Sequence, residues 1–121
     1  MNWCNTALLY SPVEYGLCKS EEDYHKTLKK LGMPISEWSD FVTKDAATNL
    51  FMVKGKRHAI VCIGSTKGYT KEQINSLLVH EAVHVWQDIC EQIGERFPSD
   101  EFEAYGIQMI SQNLMIEMRK K

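Results

Sequence analysis

The stretch from Thr70 to about Cys90 constrains the fold most, because it is predicted to be a long helix that is apolar on almost every side. Thr70 and Gln73 have the spacing of a capping box, which predicts the start of the helix. A helix that is apolar all round is buried on most sides. Its middle nevertheless contains two histidines and a glutamate. Such groups are costly in a core unless they are paired, hydrogen-bonded or bound to an ion.

These polar residues form the pattern His80-Glu81-Ala82-Val83-His84. Residues four apart on a helix lie one turn apart on the same side, so His80 and His84 can present two imidazoles to one point. Zinc binds neutral imidazole nitrogens at about 2.0–2.1 Å, and Glu81 could deprotonate the attacking water beside it. We therefore predict one zinc ion per chain, with Glu81 as the catalytic base. Histidines satisfied by ordinary hydrogen bonds are the alternative.

A third protein ligand is expected downstream, since a catalytic zinc site uses three and leaves a fourth position for water. Glu101 and Glu103 are the candidates, and on a helix they point about 160° apart, so both cannot bind one ion. Tyr105, four residues after Glu101, would face the same site and could stabilise an oxyanion. Gln87 and Asp88 are either partners of the ligands or simple polar helix positions. The alternative is that the two glutamates bind no metal and only stabilise the N-terminus of the helix.

The rest of the chain predicts a single α+β domain over residues 1–121. Residues 1–19 are predicted to be irregular, and residues 35–45 are ambiguous, with a short turn of helix as one possibility. The other predicted elements are a helix from Ser20 to Gly32, two strands at 50–53 and 59–63 joined by a glycine-containing turn, the long helix, and a last helix from Ser99 to about Met118.

The overall composition excludes two classes of partner. A formal net charge of −2, spread evenly, argues against broad capture of nucleic acid or of an anionic membrane. The sequence contains no run of 18 apolar residues, so no membrane span is predicted. The first residues lack the pattern of a secretory signal. We expect a cytoplasmic protein.

The four cysteines are far apart and form no C-x-x-C pair, so we expect small buried hydrophobic residues. A thiol near the N-terminus, such as Cys4, that reaches the metal as a reversible fourth ligand is the alternative. The sequence does not decide whether the N-terminal segment covers the cleft.

The H-E-x-x-H helix, followed by a glutamate–alanine pattern, resembles the gluzincins, and the short length resembles the minigluzincins. Residues 78–108 are also similar to small proteins encoded by tailed bacteriophages and prophages, which are described as metallopeptidases or virion-associated proteins. The resemblance implies a minimal zincin-like domain: an N-terminal helix, a hairpin or small sheet, the H-E-x-x-H helix, and a C-terminal helix that carries the third ligand. It also implies the host cytosol or the virion as the location.

The resemblance further selects among the candidate ligands. In gluzincins a small residue three positions after the ligand glutamate lets two helices pack closely, and counting back from Ala104 gives Glu101. Thermolysin-like gluzincins have an aspartate where this chain has Tyr105. The transition-state-stabilising side chain of larger peptidases is left to Tyr105, Tyr69 or His58. A strand that borders the cleft is also implied, with Ala59–Ile63 as the candidate.

Together these features predict a zinc-dependent metallopeptidase that acts on a peptide or protein, such as a phage assembly protein or a host protein. The alternative is a non-catalytic module in which zinc stabilises a fold that binds a virion or host protein. Hydrolysis of a non-peptide amide, such as cell-wall material, is a third option.

Overall fold

A computed structural model describes residues 1–4, 12–34 and 45–121, and these contain three helices and a four-stranded mixed sheet. The predicted α+β class is confirmed. Residues 35–44, which include most of the ambiguous stretch, lie outside the described residues. No helix in the described ranges has the length and apolar character needed to cross a membrane. The strands are β1 (Trp3–Cys4), β2 (Val13–Cys18), β3 (Ala46–Val53) and β4 (Lys56–Ile63), and the helices are α1 (Glu21–Lys30), α2 (Lys71–Ile93) and α3 (Asp100–Arg119).

Side-chain caps begin all three helices where the sequence predicts them. Ser20 and Ser99 each accept a hydrogen bond from the backbone N–H three residues on. Thr70 forms the full capping box: its Oγ1 accepts from Gln73 N at 3.1 Å, and Gln73 Oε1 accepts from Thr70 N at 2.8 Å. Gly94 ends α2 in the left-handed conformation, at φ 73°, which glycine adopts without the strain of a side chain. The long helix therefore runs one turn beyond its predicted end.

The sheet has the order β1-β2-β4-β3. β3 and β4 form the predicted hairpin, and its Lys54–Gly55 turn has the two positive φ angles, 49° and 78°, of a tight hairpin turn. The prediction that residues 1–19 are irregular is wrong for β1 and β2. β2 exists because it pairs in parallel with β4, from Val13 opposite Arg57 to Cys18 opposite Cys62. Pairing between such distant segments leaves no local pattern to detect.

The position of β4 overturns one further expectation. β4 has a hydrogen-bonded neighbour on each side, and its residues from His58 to Ile63 are buried. Ala59–Ile63 therefore cannot be the strand that borders a cleft. Among the described strands, β3 has a partner on one side only and forms that edge of the sheet.

The two faces of the sheet bury two separate cores, as the alternation of side chains along a strand requires. Alternate residues of β4 face opposite ways: Ala59, Val61 and Ile63 join the core with α2 and α3, whereas Ile60 and Cys62 join the core with α1. The first core also contains Leu78, Ala82, Val85, Trp86 and Ile89 of α2, and Ile110 and Leu114 of α3. α2 is thus fixed against both the sheet and α3.

α3 approaches α2 closely at Gly106. A Cβ atom placed on Gly106 would lie 2.3 Å from Cζ3 of the buried Trp86 ring. Ala104, from which the sequence predicts close helix packing, is exposed instead. The contact therefore falls two residues later than predicted, and Gly106 is required there because it has no side chain.

We predict that Gly106→Ala destabilises the protein by about 1–3 kcal/mol, although alanine is the better helix former, because the added methyl group overlaps the Trp86 ring. The free energy of unfolding in urea measures the effect. Gln108→Ala, at an exposed position of the same helix, is the control and should change stability by less than about 0.5 kcal/mol. Equal stability of the Gly106→Ala variant and the wild type would contradict the close contact.

Candidate metal centre

The two histidines of the motif meet on the side of α2 that is open to solvent. Both side chains are exposed, and their Nε2 atoms lie 3.3 Å apart. The ring centroids are 5.0 Å apart and the ring planes are inclined by 71°. Helix geometry alone produces this convergence, as the four-residue spacing predicts. His80 and His84 thus present two nitrogen atoms to one point.

Glu81 lies beside the histidines but is only 4% exposed. Its Oε2 accepts a hydrogen bond of 3.2 Å from Thr48 Oγ1 on β3, so the carboxylate has a donor despite its burial. The ligand atoms of His80, Glu81 and His84 all lie within 4.8 Å of one another, and these residues form a group that could hold a metal ion. Thr48 was not identified from the sequence, because only the contact between β3 and α2 connects it to Glu81.

A groove of about 680 Å³ runs between β3 and α2 and contains this group. Tyr69 lies at the Asp45 end, where its hydroxyl donates a hydrogen bond to the Asp45 carboxylate. That bond holds the proton on the phenol and raises the pKa of Tyr69. The groove is lined by Asp45, Ala46, Ala47, Thr48 and Leu50 from the β3 side, and by Ser76, Leu77, His80, Glu81, His84, Gln87, Asp88 and Glu91 from α2.

An ion pair between the partly exposed Arg57 and the buried Asp88 fixes α2 to the sheet next to the groove. Arg57 donates from Nε and from one terminal nitrogen to the two oxygens of Asp88, both at 3.1 Å. The Asp88 side chain is 1% exposed, and the hydrogen bonds raise the pKa of the Arg57 guanidinium. Asp88 is therefore the partner of Arg57 on β4. The bidentate pair sets the position of the helix turn that follows His84.

The structure does not bring the two α3 residues of the predicted site to the metal group. Glu101 is exposed, Tyr105 is 66% exposed, and neither lines the groove. Glu103 instead turns toward α2, where its Oε2 accepts a 3.2 Å hydrogen bond from Trp86 Nε1. Like Glu101 and Tyr105, Glu103 is not among the residues that line the groove; it lines a neighbouring pocket with Trp86 and Gln87.

The other two aromatic candidates for a stabilising role lie in different places. His58 is 6% exposed and belongs to the α1 side of the sheet, where its Nε2 lies 3.3 Å from Glu14 Oε2 and Trp3 packs against its ring. His58 is therefore separated from the groove by the sheet. Tyr69 contacts the groove through Asp45.

The cysteines lie away from the histidines. Cys18, Cys62 and Cys90 are buried, as expected of small hydrophobic residues, and Cys18 and Cys62 belong to the α1 side of the sheet. Cys4 is on β1, at the opposite edge of the sheet from β3, and burial raises the pKa of its thiol to about 11. This position does not support Cys4 as a ligand at the metal group.

Comparisons with protein-family models, with curated proteins and with solved structures find no match for this chain.

We predict that Arg57→Met costs about 3–5 kcal/mol of stability, because it leaves the buried Asp88 carboxylate without its partner. The double variant Arg57→Met/Asp88→Leu should recover most of this loss, since it removes both charges. Urea denaturation of the four proteins in the cycle measures the coupling.

The matched control is Lys26→Met, which breaks the exposed pair between Lys26 and Glu22 and should cost no more than about 1 kcal/mol. An Arg57→Met variant as stable as this control would show that the Arg57–Asp88 pair does not fix α2.

Proposed function

We propose that this protein is a zinc-dependent peptidase of the gluzincin type. The proposal depends on one observation: the Nε2 atoms of His80 and His84 lie 3.3 Å apart beside the Glu81 carboxylate, in a groove along the edge of a sheet. Two zinc ligands and a base in a groove large enough for a peptide segment, completed by a third ligand, are the parts that zinc-assisted hydrolysis of an amide needs.

The distance between the histidines fits zinc. Two nitrogens that bind one tetrahedral ion at about 2.0–2.1 Å lie about 3.3–3.4 Å apart. The Nε2 atoms of His80 and His84 are 3.3 Å apart, which agrees with this value. Nitrogen donors of neutral imidazoles also suit zinc better than they suit calcium or magnesium, which prefer oxygen.

We propose Glu103 as the third ligand. α3 packs closely on α2 at Gly106, three residues after Glu103, and the Glu103 carboxylate already faces α2 through its bond to Trp86. Glu103 is outside the groove lining, so binding the ion would require its carboxylate to leave Trp86 and turn into the groove. Glu101, which the sequence favours, has neither contact.

The chain's own residues supply the proton transfers. Bound zinc would polarise the scissile carbonyl and lower the pKa of the attacking water to about 7. Glu81 would accept a proton from that water and pass it to the leaving amine. Thr48 holds one Glu81 oxygen, so the other is available for this exchange.

The outer edge of β3 supports an extended peptide as the substrate. β3 borders the groove and, among the described strands, has a backbone partner only on the β4 side. An extended chain could add to that edge by main-chain hydrogen bonds, which bind a peptide largely independently of its side chains. A protein of phage assembly or of the host remains the predicted substrate class from the resemblance.

We predict that protein purified without added metal contains one zinc ion per chain, as measured by native and elemental mass spectrometry. His80→Ala should lose the ion, because two of the proposed ligands act together on one helix face. Glu103→Gln should lose it as well, whereas Glu101→Gln should retain it.

Zinc retained in Glu103→Gln but lost in Glu101→Gln would transfer the third ligand to Glu101. A folded wild type that takes up no zinc on titration would contradict the proposal altogether.

For activity, we predict that Glu81→Gln lowers kcat by at least about 100-fold on any peptide that the wild type cleaves, because the general base is lost. Its zinc content should be unchanged. A mixture of unstructured peptides, with products identified by mass spectrometry, is the assay. Glu95→Gln removes an exposed carboxylate outside the groove and serves as the control. A zinc-loaded wild type without cleavage would favour the non-catalytic module.

A further inference from the structure

Glu81 has a contact that the hydrolytic reaction does not by itself require. Its carboxylate is 4% exposed, and Thr48 Oγ1 donates to its Oε2 at 3.2 Å. A buried carboxylate needs donors to offset the loss of water, and a hydroxyl can provide one without adding charge. The bond connects the proposed base on α2 to the strand beside the groove.

We propose that Thr48 is a positioning residue for the reaction, which holds the Glu81 carboxylate in the orientation that accepts a proton. This inference rests on the proposed peptidase function. With Oε2 held by the hydroxyl, Oε1 is the atom that exchanges the proton with water. A base fixed in one rotamer avoids the rate penalty of a misplaced group, which reaches about 100-fold for a displacement of 1 Å.

The backbone around Thr48 is rigid enough for this role. Thr48 pairs with Val61 of β4, an interior strand residue that is fully buried. Its position is therefore fixed by the ladder between β3 and β4, and the Arg57–Asp88 pair fixes α2 against the same strand β4. Positioning side chains on regular elements hold catalytic groups better than side chains on loops.

β3 also has a second use in the proposed function, since its outer edge, which has no partner among the described strands, would bind the peptide backbone. One strand would thus align both the substrate and the base. Loss of the Thr48 hydroxyl should consequently affect the chemical step more than binding, because the backbone groups of β3 remain.

Thr48→Val tests the proposal, because it replaces the hydroxyl by a methyl group and preserves the branched shape that suits a strand. We expect kcat to fall about 10- to 100-fold, with KM and zinc content within about twofold of the wild type. Thr48→Ser retains the hydroxyl and should recover most of the lost kcat.

Thr27→Val on α1 is the matched control, because it makes the same substitution outside the groove. The Thr27 hydroxyl donates at 2.8 Å to the backbone carbonyl of Asp23, and α1 packs on the face of the sheet away from α2. The kcat of this variant should equal that of the wild type. A Thr48→Val enzyme with unchanged kcat, or one that loses only KM, would overturn the positioning role.

A second comparison separates positioning from folding and from failure of the proposed function. In the Glu81→Gln background, adding Thr48→Val should lower kcat no further, because the group that Thr48 positions is already lost. A further tenfold fall in that background would overturn the inference while the peptidase function stands. If the wild type cleaves no peptide, the peptidase proposal is wrong, and the positioning role of Thr48 is wrong with it.

Discussion

The burial of α2 is the constraint on which the rest of the structure depends. Leu78, Ala82, Val85 and Ile89 are at most 2% exposed, because the sheet and α3 together cover the helix. Burial of each large aliphatic side chain contributes about 1.5–3 kcal/mol to the stability of the fold. The helix therefore cannot rotate without losing several of these contributions. The face left open is the one that contains both histidines. Their exposure is therefore a consequence of packing elsewhere on the same helix.

The features that follow from local geometry could be predicted from the sequence. The side chain of a cap such as Ser20 or Thr70 bonds to the backbone N–H only three residues further on. The hairpin turn is formed by two adjacent residues, Lys54 and Gly55. The convergence of His80 and His84 likewise needs only the helical repeat, so the motif alone predicts that these two side chains meet. In each case the interacting residues are close in the chain, and the fold has little freedom to alter them.

The remaining features depend on contacts between distant segments. β2 is a strand because it pairs with β4, and that same pairing makes β4 an interior strand and leaves the groove edge to β3. The helix repeat could show that Glu101 and Glu103 face different ways. It could not show where α3 approaches α2, and the proposal of Glu103 as the third ligand depends on this approach at Gly106. Thr48 was missed for the same reason, since a threonine in a strand carries no local signal that a carboxylate lies opposite.

The register of the sheet also keeps the thiols away from the histidines. Thiolate is a strong zinc ligand and would compete with imidazole wherever both could reach one ion. Cys18 and Cys62 lie directly opposite each other on β2 and β4, and both face α1. A slip of β4 by one residue would turn Cys62 toward α2 and move Val61 out of its core, because side chains alternate along a strand. The apolar residues that fix the register for stability thus also keep Cys18 and Cys62 on the α1 side of the sheet, away from the groove.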